Sequence, residues 1–258
     1  MGVNDEQAPS RGSAALAPAS PVLEPAALAD PSAPPTQPQT RGQVDGGAAP
    51  ASSLSEDEAV ALVADHLAAR GLGDLGWGKE ASSLRERMRV LHEVLGDPWP
   101  DVSDEALAGN AHEWLLPWAK RLARGGSLSN VSMLDALRSM LPWPDAARLD
   151  ELAPEKMPIP AGGTRPIDWS GAHPVLTLRV QQAFGWTDTP RLVDGRVPLV
   201  LHLTDPAGRP AAVTSDLTSF WAGPYQDVRA QLRGRYPKHP WPEDPLHAEP
   251  TNRAKRRG

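Results

Sequence analysis

The stretch VPLVLHLTDPAGRPAAVT, residues 197–214, decides how the second half of this chain folds. Its apolar residues alternate with polar ones at a period of two, as in strands with one buried face. His202 lies between Leu201 and Leu203, so it faces away from them. The break at Asp205-Pro-Ala-Gly208 has the chemistry of a turn, because proline presets φ and glycine takes the tight corner. Residues 197–214 are therefore expected to form a hairpin.

Outward from the hairpin, the period of two continues upstream at 164–169, 175–180 and 192–193, which are expected strands. Downstream, a helix is expected from Asp216, interrupted at Gly223-Pro224 and ending near Arg233-Gly234. Leu217, Phe220, Trp221, Val228 and Leu232 would form its inner face. The segment after it, RYPKHPWPEDP at 235–245, is a proline-rich strap. Each proline biases its predecessor toward extended backbone, so the strap is neither helix nor central strand.

Before the strands the period is helical. Ser55-Glu-Asp-Glu58 reads as a capping box opening a helix with Ala59, Leu62, Val63 and Leu67 on one face and Gly71 and Gly73 at its end. A second helix at 80–95 carries Leu84, Met88, Leu91 and Leu95. A third opens at Asp101-Val-Ser-Asp-Glu105, with acids where the helix dipole favours them, and Pro117 should kink or split it. A fourth spans 131–141, and a short one passes through Leu149 and Leu152. Trp99 and Trp143, in proline-flanked corners, are expected to clamp loops to the body.

The expected fold class is thus α+β. A helical bundle-like unit at 54–150 precedes a small mainly antiparallel sheet, a C-terminal helix and the strap, at 151–258. Residues 1–53 are rich in Ala, Pro, Gly and Ser without apolar periodicity. They cannot bury enough surface to offset about 1–2 kcal/mol of ordering entropy per residue, so a disordered tail is expected there. The tail has no basic start followed by an apolar run, as a secretory signal would. The chain has 258 residues, no cysteine and a net charge of −6. Disulfides and thiolate metal sites are excluded, and a cytoplasmic protein without a membrane span is expected.

Few constellations carry chemistry. The seven histidines are scattered, and none has zinc-ligand spacing. No nucleophile elbow surrounds a serine. No G-x-x-x-x-G-K-[ST] loop occurs; Gly78-Lys79 is followed by Glu80. Asp104-Glu-Ala-Leu107 looks like a helix start rather than a magnesium-binding box. No catalytic, cofactor-binding or metal-ligating residue is therefore assigned.

Nine tryptophans stand against two tyrosines and two phenylalanines. Trp114, Trp118 and Trp221 fall on helix faces and belong to the core. Trp241, in the strap, has two readings: a ring docked to pin an extended segment, or a stacking platform for a base. Cations flank it: Arg229, Arg233, Arg235 and Lys238 before, Arg253, Lys255, Arg256 and Arg257 after. Interleaved with Tyr236, His239 and Trp241, they form a candidate phosphate-tracking surface, interrupted by Glu243, Asp244 and Glu249.

The run at 195–245, with the words DLTSFW, TDPAGRP and GRYPKHPWPEDP, resembles the C-terminal domain of HrpB-type helicases, relatives of the DEAH/RHA group. LRERMRVLHEVLGDPWPDVSDEAL and EWLLPW resemble the helical segment preceding it in that family. The resemblance extends over residues 54–258. It implies an accessory region of an ATP-dependent RNA helicase that contacts single-stranded nucleic acid, RNA foremost, or a motor chain. ATP and magnesium would belong to two RecA-like motor domains, which this sequence lacks. A protein-interaction module docking on a separate partner, or a truncated helicase relic, are the alternatives.

Overall fold

The computed structural model describes residues 54–253. The expectation of a disordered tail at 1–53 falls outside that span. Among the described residues no helix is long and apolar enough to cross a membrane.

The first helix, α1 (Glu56–Arg70), begins as its sequence dictates. Ser55 Oγ accepts from the Glu58 N–H at 3.2 Å, and the Glu58 carboxylate accepts from the Ser55 N–H at 2.8 Å. These bonds hold the Glu58 carboxyl below its ordinary pKa. Gly71, at φ +82°, ends the helix. Helix α2 (Lys79–Leu95) stops at Gly96, which also takes a positive φ.

The third expected helix comes in pieces: α3 (Asp104–Gly109), α4 (Ala111–Trp114), a 3₁₀ turn at Leu116–Trp118 and α5 (Ala119–Leu122). Pro117 lies in the 3₁₀ turn that separates α4 from α5, while the break between α3 and α4 falls at Asn110. Ser103 caps α3, accepting from the Ala106 N–H. Asp104 pairs with Arg85 at 2.7 Å. Helix α6 (Met133–Ser139) completes this half, whose core includes Leu67, Met88, Leu107, Leu115, Met133 and Leu137, each at most 2% exposed.

After α7 (Leu149–Leu152) come β1 (Lys156–Pro158), β2 (Thr164–Asp168), β3 (Val175–Arg179), β4 (Arg191–Leu192), β5 (Val197–Pro198), β6 (Val200–Thr204) and β7 (Pro210–Thr214). Five form a mixed sheet in the order β1-β2-β3-β6-β7, while β4 and β5 make a separate two-stranded ribbon. A hairpin forms around Asp205-Pro-Ala-Gly208, with Gly208 at φ +84°, but it is shorter than the expected 197–214, because Val197 and Pro198 pair with β4 and the hairpin strand begins at Val200. Its neighbour β3 runs parallel to β6, with Leu176 opposite Leu201 and Leu178 opposite Leu203. Those leucines are buried while Thr177 and His202 are exposed, so alternation was readable. Strand direction was not, because a period of two is the same for both directions. Strand β1 escaped the sequence reading; it has three residues, one of them proline, and lies on the sheet edge.

Helices α8 (Leu217–Ala222) and α9 (Pro224–Arg233) meet at Gly223-Pro224, the expected interruption. Leu217, Phe220, Trp221 and Val228 are buried, joined by Tyr225, which is fully buried. Phe184, Phe220, Trp221 and Tyr225 form an aromatic cluster with centroids 4.9–6.3 Å apart.

Helix α2 contributes to two apolar clusters. Leu84 and Met88 belong to the helical core, whereas Val90 and Leu91 pack with the sheet core and with Trp99. Between these rows Arg87, 3% exposed, donates to the Ala153 carbonyl and pairs with Asp150. Trp99 clamps its loop as expected, but Trp143 is 71% exposed. Its neighbour Leu141 packs inward instead and leaves the tryptophan ring in solvent.

Candidate functional site

The strap is held by a ladder of hydrogen bonds to α9 and to the segment after β3. The Tyr225 hydroxyl, from α9, donates to the Pro242 carbonyl at 2.9 Å, and Gln226 donates to the Glu243 carbonyl at 3.1 Å. Arg229 donates to the Trp241 carbonyl and pairs with Glu243, each at 2.9 Å. The Gly185 N–H reaches the Pro245 carbonyl at 3.0 Å. Since the prolines cannot donate, the strap contributes mainly acceptors, and the folded body supplies the N–H and O–H groups.

Trp241 is half-buried against the sheet core, and its Nε1–H donates to the Tyr236 carbonyl at 3.0 Å. The docked reading of this ring is thus seen in its contacts. Trp241 also lines a groove of about 470 Å³ with Pro240, Pro242, Ala248, Glu249, Pro250, Thr251 and Arg253.

Tyr236 is also committed to the fold. Its hydroxyl donates to Asp205 Oδ2 at 2.7 Å, while Asp205 Oδ1 accepts from the Ala207 and Arg209 N–H groups at 2.8 and 3.0 Å. Burial opposes the charged Asp205 carboxylate, yet these three hydrogen bonds outweigh it and keep its pKa below the ordinary value. The Asp205 acceptor pushes the Tyr236 hydroxyl up. Burial, aided by the nearby Arg179 charge, pushes the His239 imidazole down.

The residues predicted from sequence therefore divide. Arg229 and Tyr236 are engaged inside the fold. Arg233, Arg235, Lys238 and Arg253 are exposed and enter no ion pair among the described residues, though Arg235 lies 5.9 Å from the Tyr236 ring. His239 is half-buried near Arg179. Lys255, Arg256 and Arg257 lie outside the described residues. No group of three or more histidines and carboxylates among those residues is placed to hold a metal ion.

Four functional candidates were missed in the sequence. Beyond the strap the chain returns over the segment after β3. The Thr251 N–H donates to the Gln181 carbonyl, Gln182 Nε2 donates to Asn252 Oδ1 at 2.6 Å, and Asn252 Nδ2 donates to the Ala161 carbonyl at 2.7 Å. This tie closes one side of a second cleft of about 390 Å³, lined by Arg165, Thr177, Arg179, Gln182, Thr204 and Asn252 with Gly162, Leu178 and Gly208. Arg165, Arg179, Gln182 and Asn252 are scattered through 88 positions of sequence, and no local spacing signals that they meet.

Residues 114–245 match the family described as ATP-dependent helicase C-terminal, the HrpB C-terminal domain. The chain is 37% identical over 217 residues to the ATP-dependent RNA helicase HrpB of Escherichia coli strain K12, a match covering 83% of this chain and 27% of that protein. The crystal structure of the E. coli DExH-box NTPase HrpB is similar with a TM-score of 0.68 and 38% identity, over 78% of this chain and 25% of that one. A crystal structure of the Escherichia coli DEAH/RHA helicase HrpB gives 0.59 and 37%, over 74% and 24%. The chain spans about a quarter of the length of these relatives.

Proposed function

The chain belongs to the HrpB family of ATP-dependent helicase C-terminal regions, and from that premise we propose that it is an accessory region holding single-stranded nucleic acid, RNA foremost. The observation that carries this reading is the Trp241 groove. Its ring is held through Nε1–H by the Tyr236 carbonyl, and Trp241 and Arg253 line the same groove. Stacking on a pre-positioned aromatic contributes roughly 1–3 kcal/mol per base and tolerates any base. Arg233, Arg235 and Lys238 supply further charge for the backbone.

On this reading the chain assists helicase action and contributes no ATPase chemistry. Its sequence has no G-x-x-x-x-G-K-[ST] loop to cradle nucleotide phosphates, and on this reading ATP and magnesium would be the business of a helicase motor. The same reading makes the cytoplasm its compartment. The test is fluorescence anisotropy of the full chain with labelled single-stranded RNA and DNA at two salt concentrations. Salt-sensitive binding is expected, with a slope of about −0.7 in log affinity per log salt for each phosphate neutralised. Absence of binding at low salt would sink the proposal.

A second reading, a module docking on a separate motor chain, draws on exposed apolar side chains. Leu62, Leu116 and Trp143 are 60%, 59% and 71% exposed. Co-purification with a motor chain that is lost on replacing these side chains by serine, while RNA binding by the isolated chain is absent, would favour it.

A further inference from the structure

The second cleft holds two cations without partners. Arg165, on β2, and Arg179, at the end of β3, are both half-buried and line it. Neither guanidinium makes an ion pair or donates to a protein acceptor among the described residues. Each carries five N–H donors, and a partly desolvated guanidinium ordinarily has a carboxylate or carbonyl against it. The lining includes two arginines and no carboxylate. Such a cleft favours an anion, and the guanidinium fork suits the paired oxygens of a phosphate. The Thr177 side chain is also exposed there and adds a hydroxyl.

The cleft and the Trp241 groove are lined by consecutive residues of one segment. Asn252 lines the arginine cleft, whereas its neighbours Thr251 and Arg253 line the groove. The Gln182–Asn252 and Asn252–Ala161 hydrogen bonds hold that segment in place. We propose that the Arg165–Arg179 cleft takes a backbone phosphate of the single strand whose neighbouring base stacks in the Trp241 groove, the strand crossing the segment at Asn252. This rests on the nucleic-acid reading above and adds where a phosphate is gripped.

The experiment compares the full chain with an Arg165→Gln/Arg179→Gln variant and an Arg233→Gln/Arg235→Gln/Lys238→Gln variant, using a fluorescein-labelled oligouridylate. The cleft variant is expected to bind at least tenfold more weakly at low salt, with its salt slope reduced by about 0.7, one phosphate. Arg165→Lys/Arg179→Lys should restore the slope, because charge survives without the fork. Unchanged affinity and slope in the cleft variant, with loss in the exposed-cation variant, would overturn the cleft and leave the proposed function standing. No binding by the unaltered chain would overturn both.

If the cleft variant fails to fold, phenylglyoxal modification of the unaltered chain replaces it. Protection of Arg165 and Arg179 by the oligonucleotide supports the assignment. Equal modification with and without it overturns the assignment, as does protection by inorganic phosphate but not by the oligonucleotide.

Discussion

The Tyr236 hydroxyl donates to Asp205 Oδ2 at 2.7 Å, binding the start of the strap to the β6–β7 turn 31 residues earlier. Asp205 is 3% exposed and accepts two further backbone hydrogen bonds within its own turn. One carboxylate therefore shapes the hairpin corner and anchors the strap. Tyr236→Phe should lower stability, because it removes a hydrogen bond to a charged group. In a double-mutant cycle with Asp205→Asn the two losses should be non-additive, measured by urea unfolding. Full additivity would show that the pair is not coupled.

The same carboxylate gives a pH dependence. Its folded pKa is below the unfolded value, so its contribution is complete above about pH 4 and is lost as pH falls through the folded value. Urea midpoints taken from pH 6 to pH 2.5 should fall for the unaltered chain and fall less for Asp205→Asn. Parallel curves would contradict this assignment.

Arg87 offers a test of how the two cores are joined. Its partners Asp150 and Glu155 are largely exposed, so removing Arg87 leaves them hydrated, but it orphans the fully buried Ala153 carbonyl. Arg87→Ala should lower stability by about 2–3 kcal/mol through that carbonyl and the lost packing of the stem. Arg87→Met, which fills the space without a donor, should lie between. Thermal unfolding of the three proteins checks the order.

Gly76 sits against backbone. A Cβ there would lie 2.6 Å from the Val131 carbonyl oxygen and 2.7 Å from that of Ser129. Gly76→Ala should therefore destabilise by about 1–3 kcal/mol, the usual range for overpacking, and a neutral result in urea unfolding would refute the close approach.

Trp241 should respond differently to two substitutions. Trp241→Phe keeps an apolar ring and loses the bond to the Tyr236 carbonyl, at a cost of about 1 kcal/mol. Trp241→Ala should lower stability further and weaken oligonucleotide binding by roughly 1–3 kcal/mol. Unchanged binding by a folded Trp241→Ala protein would remove the ring from the interface.

Much of the fold was legible because its signals are local. The Ser55–Glu58 capping box, the glycine stop at Gly71, the split at Pro117, the turn at Asp205–Gly208 and the Gly223-Pro224 break each depend on residues within a turn or two. The strap was legible as extended chain, and Trp241 and the cations around it could be singled out. Which cations stay available could not. Arg229 and Arg233 occupy the same helix, and only folding brings Glu243 and the Trp241 carbonyl against the first.

The sequence by itself determined the α+β class, the placing of the helices before the strands and the facing of the main strands, because capping, turn chemistry and hydrophobic period act over a few neighbouring residues. Tertiary structure decided the parallel pairing of β3 with β6, the bond from Tyr236 to Asp205 and the convergence of Arg165, Arg179 and Asn252 on one cleft. Those features join residues far apart along the chain. Their partners are selected by competition among many buried donors and acceptors for the few geometries that satisfy all of them together, and no local pattern encodes that outcome.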